Sequence, residues 1–142
     1  MAVNLQTVSA NDIAASGLYA QRTRMDVIAN NVANALTTRT PQGGAFRRQM
    51  AIFRGEQLGP TINPKDFGVR VSQIRSDMSP LRQVYDPGHP DANADGYVNY
   101  PNVDMSVEMV DLVSAQRAYE ANVSVMLSNR QMDQKALEII QA

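Results

Sequence analysis

Two segments at the ends of this chain, from about Val8 to Leu36 and from about Val103 to Ile140, carry the apolar periodicity of α-helices. Both are too long for a compact body of 142 residues. At about 1.5 Å per residue the C-terminal segment extends for roughly 55 Å, while a globule of this chain length has a radius of gyration of about 14 Å. The helix outruns any body the chain can build alone, so the sequence points first to assembly.

In the C-terminal segment the apolar residues alternate at spacings of four and three: Met105, Met109 and Leu112, then Tyr119, Val123 and Met126, then Leu137 and Ile140. This is a coiled-coil seam. Gln116, Arg130 and Asp133 stand at the seam positions in between; they weaken a two-stranded zipper and favour contacts with several neighbours. The N-terminal segment has a matching stripe in Leu18, Met25, Ile28, Val32 and Leu36, with Ala14, Gly17, Ala29 and Ala33 small enough for close approach. An antiparallel hairpin within one chain is the simplest arrangement. It leaves Val110, Val113 and Leu127 uncovered, however, and burial of apolar surface is worth roughly 25 cal/mol per Å². Other subunits are expected to cover that flank, and the seam and stripe residues are the predicted subunit interface.

The predicted fold class is mainly α: long terminal helices forming a coiled-coil-like hairpin or bundle, with a small β-rich and loop insertion between them. The division falls at residues 1–40, 41–101 and 102–142. Ser9 or Asn11 is placed to cap the first helix. That helix is expected to end near Leu36, where Thr37, Thr38, Thr40 and Pro41 disfavour helix. Alternation predicts strands over Phe46–Phe53 and Val69–Ile74, the latter with Ile74 out of phase as at a bulge or a strand end, and a third over Leu81–Tyr85. Residues 86–101, rich in Pro, Gly, Asn and Asp, read as loop. Asp104 is the expected cap of the last helix, with Glu108 and Asp111 near the positive end of its dipole.

Composition closes several routes to chemistry. With no cysteine the chain has no disulfide, thiolate nucleophile or Cys-ligated metal. Fourteen acidic residues balance thirteen basic ones, and no basic run extends beyond Arg47, Arg48 and Arg54, so a nucleic-acid footprint is missing. No stretch approaches the ~20 apolar residues of a membrane span, and no signal-peptide pattern opens the chain. On these grounds alone the expected location is cytoplasmic unless export takes another route.

The sharpest chemical pattern is Asp91, Asn93, Asp95, Gly96, which reads like the opening of a calcium-binding loop. Its twelfth position is Asn102 where a bidentate Glu is needed, and Pro90 and Pro101 interrupt the flanks. An Asp/Asn/Gly turn accounts for the pattern equally. His89 has no second histidine or cysteine to complete a metal set. Glu108 and Asp111, one turn apart, resemble paired carboxylates, yet dipole and solvated-face roles suit them better. Gly43 and Gly44 lack the strand and Lys-Ser/Thr of a phosphate loop, and Asn122-Val123-Ser124 is a chance-prone glycosylation pattern. No catalytic set and no cofactor is expected. Asn30, Asn31 and Asn34 differ, because asparagine is a poor helix former. Their amides are placed to bond backbone or side chains of an adjoining helix, with fraying toward the Thr-rich end as the alternative.

The stretch IANNVANALTTRT, from Ile28 to Thr40, resembles the N-terminal motif of the flagellar rod, hook and hook-associated family. PQGGAFRRQ from Pro41 to Gln49, DPGHPDANADGYVNYPNVD from Asp86 to Asp104, and EMVDLVSAQRAYEANVSVM from Glu108 to Met126 are similar to its rod members. Leu36 departs from the family's usual asparagine, and the segment from Gly55 to Lys65 matches no pattern. The resemblance implies a structural, non-enzymatic rod subunit whose terminal helices form the rod core, packed in concentric tubes around an export channel. It implies subunit contacts through Leu18, Met25, Ile28, Asn30, Asn31, Val32, Asn34, Met109, Leu112, Tyr119, Val123 and Met126. It also implies self-association and partners among the rod proteins FlgB, FlgF and FlgG, the basal-body protein FliE and the flagellar type III export apparatus. Export without a cleavable signal then places the chain in the periplasmic space, revising the cytoplasmic expectation. The competing readings are a calcium-loop binding module on Asp91, Asn93 and Asp95, and a helical-bundle scaffold unrelated to motility.

Overall fold

Two helices enclose two β-hairpins in the computed structural model, which describes residues 8–59 and 67–141. Helix α1 (Ala10–Ala33) begins at Ser9, whose hydroxyl accepts the Asp12 N–H at 3.2 Å while the Asp12 carboxylate accepts the Ser9 N–H at 3.0 Å. This reciprocal capping box satisfies two otherwise orphaned donors. The helix stops at Ala33, three residues before the expected Leu36, because Asn34 caps it: the Asn34 amide donates to Asn30 O at 2.9 Å and its N–H to the same carbonyl at 3.1 Å. A turn through Gly43 and Gly44, at φ 91° and 73° where glycine alone sits without strain, reverses the chain.

Strand β1 (Gln49–Gln57) pairs antiparallel with β2 (Phe67–Ser76). Ile52 faces Gln73 but Phe53 faces Val71, so Ser72 is the extra residue of a bulge, its hydroxyl bonded to Ile52 O at 3.1 Å. That bulge explains why Ile74 is out of phase with Val69 and Val71. The strand expected over Phe46–Phe53 starts three residues later and runs on to Gln57, with its partner strand longer than expected at both ends. Where β2 crosses α1, the Ser16 hydroxyl accepts the Val69 N–H at 3.1 Å and donates to Ile13 O at 2.6 Å. A Cβ on Gly68 would lie 2.6 Å from that hydroxyl and 2.7 Å from Leu58 Cδ1. Gly68→Ala is therefore expected to cost about 1–3 kcal/mol, read as a lowered denaturant midpoint at unchanged slope; a wild-type midpoint would refute this close approach.

The second hairpin joins β3 (Arg82–Tyr85) to β4 (Tyr97–Tyr100). Residues 86–101 are thus not wholly loop: β4 lies inside them, masked in the sequence by the surrounding Pro, Gly and Asp. Its Val98 is fully buried, and Tyr97 meets Tyr85 edge-on with centroids 5.3 Å apart. Asn93 and Gly96, the latter at φ 79°, shape the reversal between the strands. With 48% helix and 21% strand among the described residues, the fold is better stated as a helical hairpin carrying two β-hairpins than as mainly α.

Helix α2 (Met105–Gln141) starts on Asp104, whose carboxylate accepts the Ser106 N–H at 2.8 Å. It packs antiparallel to α1: Asn129 approaches Asn11 at 3.4 Å near one end and Arg24 pairs with Asp111 at 3.2 Å near the other. The buried line between them is Ala14, Ala20, Val27, Ile28 and Asn31 on α1 with Glu108 and Ala115 on α2. This shifts the predicted seam. Leu112, Tyr119, Val123 and Met126 are half-buried, but Met105 and Met109 are 43% and 46% exposed, and Glu108 takes the covered position between them. Ala29 and Ala33, expected at the helix contact, are exposed, while Gly17 does approach Asn122.

Two carboxylates, the exposed Asp12 and the half-buried Asp77, give the fold an acid limit. The Ser9 N–H and then its hydroxyl hold the Asp12 carboxyl below its ordinary value, and the Ser79 N–H and hydroxyl do the same for Asp77. A carboxyl with a depressed folded-state pKa adds stability above its unfolded value and loses it as pH falls through the folded one. The urea midpoint should hold from neutrality to about pH 5 and fall below about pH 4. A D12N/D77N variant should show a shallower fall; an equally steep one would remove these two groups from the account.

Candidate assembly interface

Where α1, β1 and α2 meet, a cluster of polar side chains takes the place of apolar ones. Asn31, 1% exposed, donates from Nδ2 to Gln49 O at 2.8 Å and to Glu108 Oε2 at 3.0 Å, and its Oδ1 accepts the Gln49 N–H at 2.8 Å. One amide thus serves both backbone groups at the start of β1 and a carboxylate on α2, which explains a poor helix former at that position. Asn30 adds a bond to Gln49 Oε1 at 3.1 Å.

Glu108 is 0% exposed. Its other oxygen, Oε1, accepts from Arg48 Nε, and Arg48 Nη2 reaches Asp111 Oδ2 at 3.1 Å. Arg24 of α1 closes the set on Asp111 Oδ1 at 3.2 Å. Two guanidinium groups therefore meet two carboxylates with no net charge left over. Burial works against the charged form of Arg48, but the hydrogen bond it donates to Glu108 and the charges of Glu108, Asp111 and Asp77 outweigh it and hold the guanidinium above its ordinary value. The Arg48 N–H is fixed by Asn102 Oδ1 at 2.9 Å, and Asn102 in turn donates to Ser79 Oγ at 2.7 Å, so the junction reaches the segment leading into β3.

Sequence reasoning placed Asn31 correctly against an adjoining element, although the partners include a strand as well as a helix. It misread Glu108 and Asp111 as solvated: Glu108 is the most deeply buried charge of the described residues and Asp111 is half-buried between two arginines. It missed Arg24, Arg48 and Gln49. The available signal was that Glu108 and Asp111 fall on the covered side of α2, where carboxylates require cationic partners.

The remaining expected interface residues divide in two. Ile28 is buried and Leu18, Met25, Val32 and Asn34 are half-buried within the chain, as are Leu112, Tyr119, Val123 and Met126. Met109 lies outside with Val110, Val113 and Leu127, an apolar flank without cover among the described residues. Beyond Asn129 every described side chain of α2 is exposed, with Ile139 and Ile140 at 78% and 80%. Asp91 and Asn93, two of the calcium-pattern residues, are engaged elsewhere: Asp91 accepts from Thr38 at 2.8 Å and pairs with Arg39, while Asn93 Oδ1 accepts the Asp95 and Tyr97 N–H groups at 3.0 and 2.8 Å. Asp95 is exposed in the same turn. His89 Nδ1 accepts the Asp91 N–H at 3.1 Å.

A helical hairpin clamped by a buried polar junction, with apolar flanks left open along its longer helix, defines the class of helical assembly subunits. Comparison with known proteins narrows the class. The family described as "Flagella basal body rod protein" matches residues 12–39, and "Flagellar basal body rod FlgEFG protein C-terminal" matches residues 94–139. The chain is 48% identical to the flagellar basal-body rod protein FlgC of Borreliella burgdorferi, over 94% of this chain and 97% of that one. It is 47% identical to FlgC of Bacillus subtilis, covering 90% and 94%, and 39% identical to FlgC of Salmonella typhimurium, covering 90% and 93%. The chain belongs to the FlgC family of flagellar basal-body rod proteins.

Proposed function

We propose that this chain, a structural rod subunit of the flagellar basal body, transmits torque in the proximal rod through lateral packing of its terminal helices. The observation that carries the reading is the uncovered apolar surface of α2, from Met109, Val110 and Val113 to Ile139 and Ile140, on a hairpin whose inner face is already filled. Surface of that kind is stable in water only when other helices cover it. The segments 1–40 and 102–142 supply the rod core around the export channel, and residues 41–101 brace adjacent subunits. Partners are further copies, the rod proteins FlgB, FlgF and FlgG and the basal-body protein FliE, reached after export by the type III apparatus into the periplasmic space without a cleavable signal.

The test is genetic. Deleting the gene should abolish swimming and leave basal bodies without a complete rod, and this chain supplied in trans should restore both. A deletion strain that swims would overturn the reading.

A further inference from the structure

The contact between the two helices is lined mainly by small and apolar side chains, with one fully buried charge in it. Ala14, Gly17, Ala20 and Ala115 present small side chains, and the half-buried Leu112, Tyr119, Val123 and Met126 repeat at spacings of seven, four and three. A one-turn slide keeps a largely apolar seam against α1 but sets Tyr119 or Asp111, according to its direction, where Ala115 is buried, so packing opposes it at that layer. At the buried charge a slide breaks something that cannot be replaced. Glu108 would move about 5–6 Å, one helical turn, away from Arg48 Nε and Asn31 Nδ2, leaving a carboxylate buried without donors.

We propose that the Asn31–Arg48–Glu108 junction is a registry lock, which holds α1 and α2 in their observed alignment more strongly than the packing of the seam does. Its key belongs to neither helix. Arg48 stands at the entrance to β1, tied through its own N–H to Asn102 and through its guanidinium to Glu108 and Asp111. The β insertion therefore sets the alignment of the helices that flank it, and couples the position of the hairpin's outer surface to its own. Arg24, on the opposite side of Asp111, reinforces the same alignment from α1. The inference concerns one chain and stands apart from where the subunit sits in the rod.

The natural chain has no cysteine, so disulfide capture can report the alignment. Asn11 and Asn129 touch at 3.4 Å at the far end of the hairpin, remote from the lock. N11C/N129C in the full chain should cross-link quantitatively on oxidation, and N11C/V125C, the pair one turn out of register, should not. Adding R48M and E108L replaces the ion pair with apolar groups. The folded product should then lose several-fold in native cross-link and gain the slipped one. Should that variant not fold, R48K decides: it keeps the charge, but one ammonium cannot reproduce the fork that reaches both carboxylates, and a slipped fraction at least two- to threefold above the parent chain is expected. Native cross-linking alone, in either background, would overturn the lock.

Discussion

Replacing Glu108 with alanine is expected to remove about 3–5 kcal/mol of stability. The carboxylate is fully buried and answers Arg48 and Asn31 at once, so its removal leaves a guanidinium that is 20% exposed with only Asp111 to oppose it. A domain of this size has roughly 5–15 kcal/mol in total, and the loss should be visible as a large drop in denaturant midpoint followed by circular dichroism. Glu108→Gln should cost less, because the amide oxygen still accepts from Asn31 while the charge opposite Arg48 is gone. Equal midpoints for Glu108→Ala and wild type would mean that the junction is not where the hairpin is held.

The second large effect falls on motility. Val123 is half-buried on the α1-facing side of α2, about one turn from Tyr119 and Met126. Val123→Asp puts an unpaired carboxylate against apolar neighbours, at a cost of several kcal/mol unless water reaches it. Cells carrying it as their only copy should not spread in soft agar and should lack assembled rods, whereas Val123→Leu should swim. Normal swimming by the aspartate variant would remove α2's seam from the assembly account.

Periodicity made the two helices legible, since apolar residues at three and four spacing survive any change of context. Their caps were legible for the same local reason: Ser9 with Asp12 and Asp104 ahead of Ser106 are sequence patterns that act within one turn. The phase of Ile74 pointed to a bulge or a strand end, and the pairing decides for a bulge at Ser72. Strand β4 was not legible, because Gly96, Asn93 and Asp95 dominate its surroundings and its pairing with β3 depends on residues twelve or more positions back. The polar junction was the least legible feature. Arg48 and Glu108 lie 60 residues apart, and the one signal, the place of Glu108 and Asp111 on the covered side of α2, names no partner. The family resemblance of Ile28–Thr40 and Glu108–Met126 spanned both sides of that junction without revealing that they meet.

The most direct measurement is the location of the chain itself. An epitope-tagged copy would be expressed in a strain lacking its own, swimming restored, and basal bodies purified through detergent and gradient. The account predicts the tag in the rod fraction, retained after the rings are stripped away and decorated by antibody along the shaft between them. A swimming strain whose purified rods contain none of the tagged chain would contradict it.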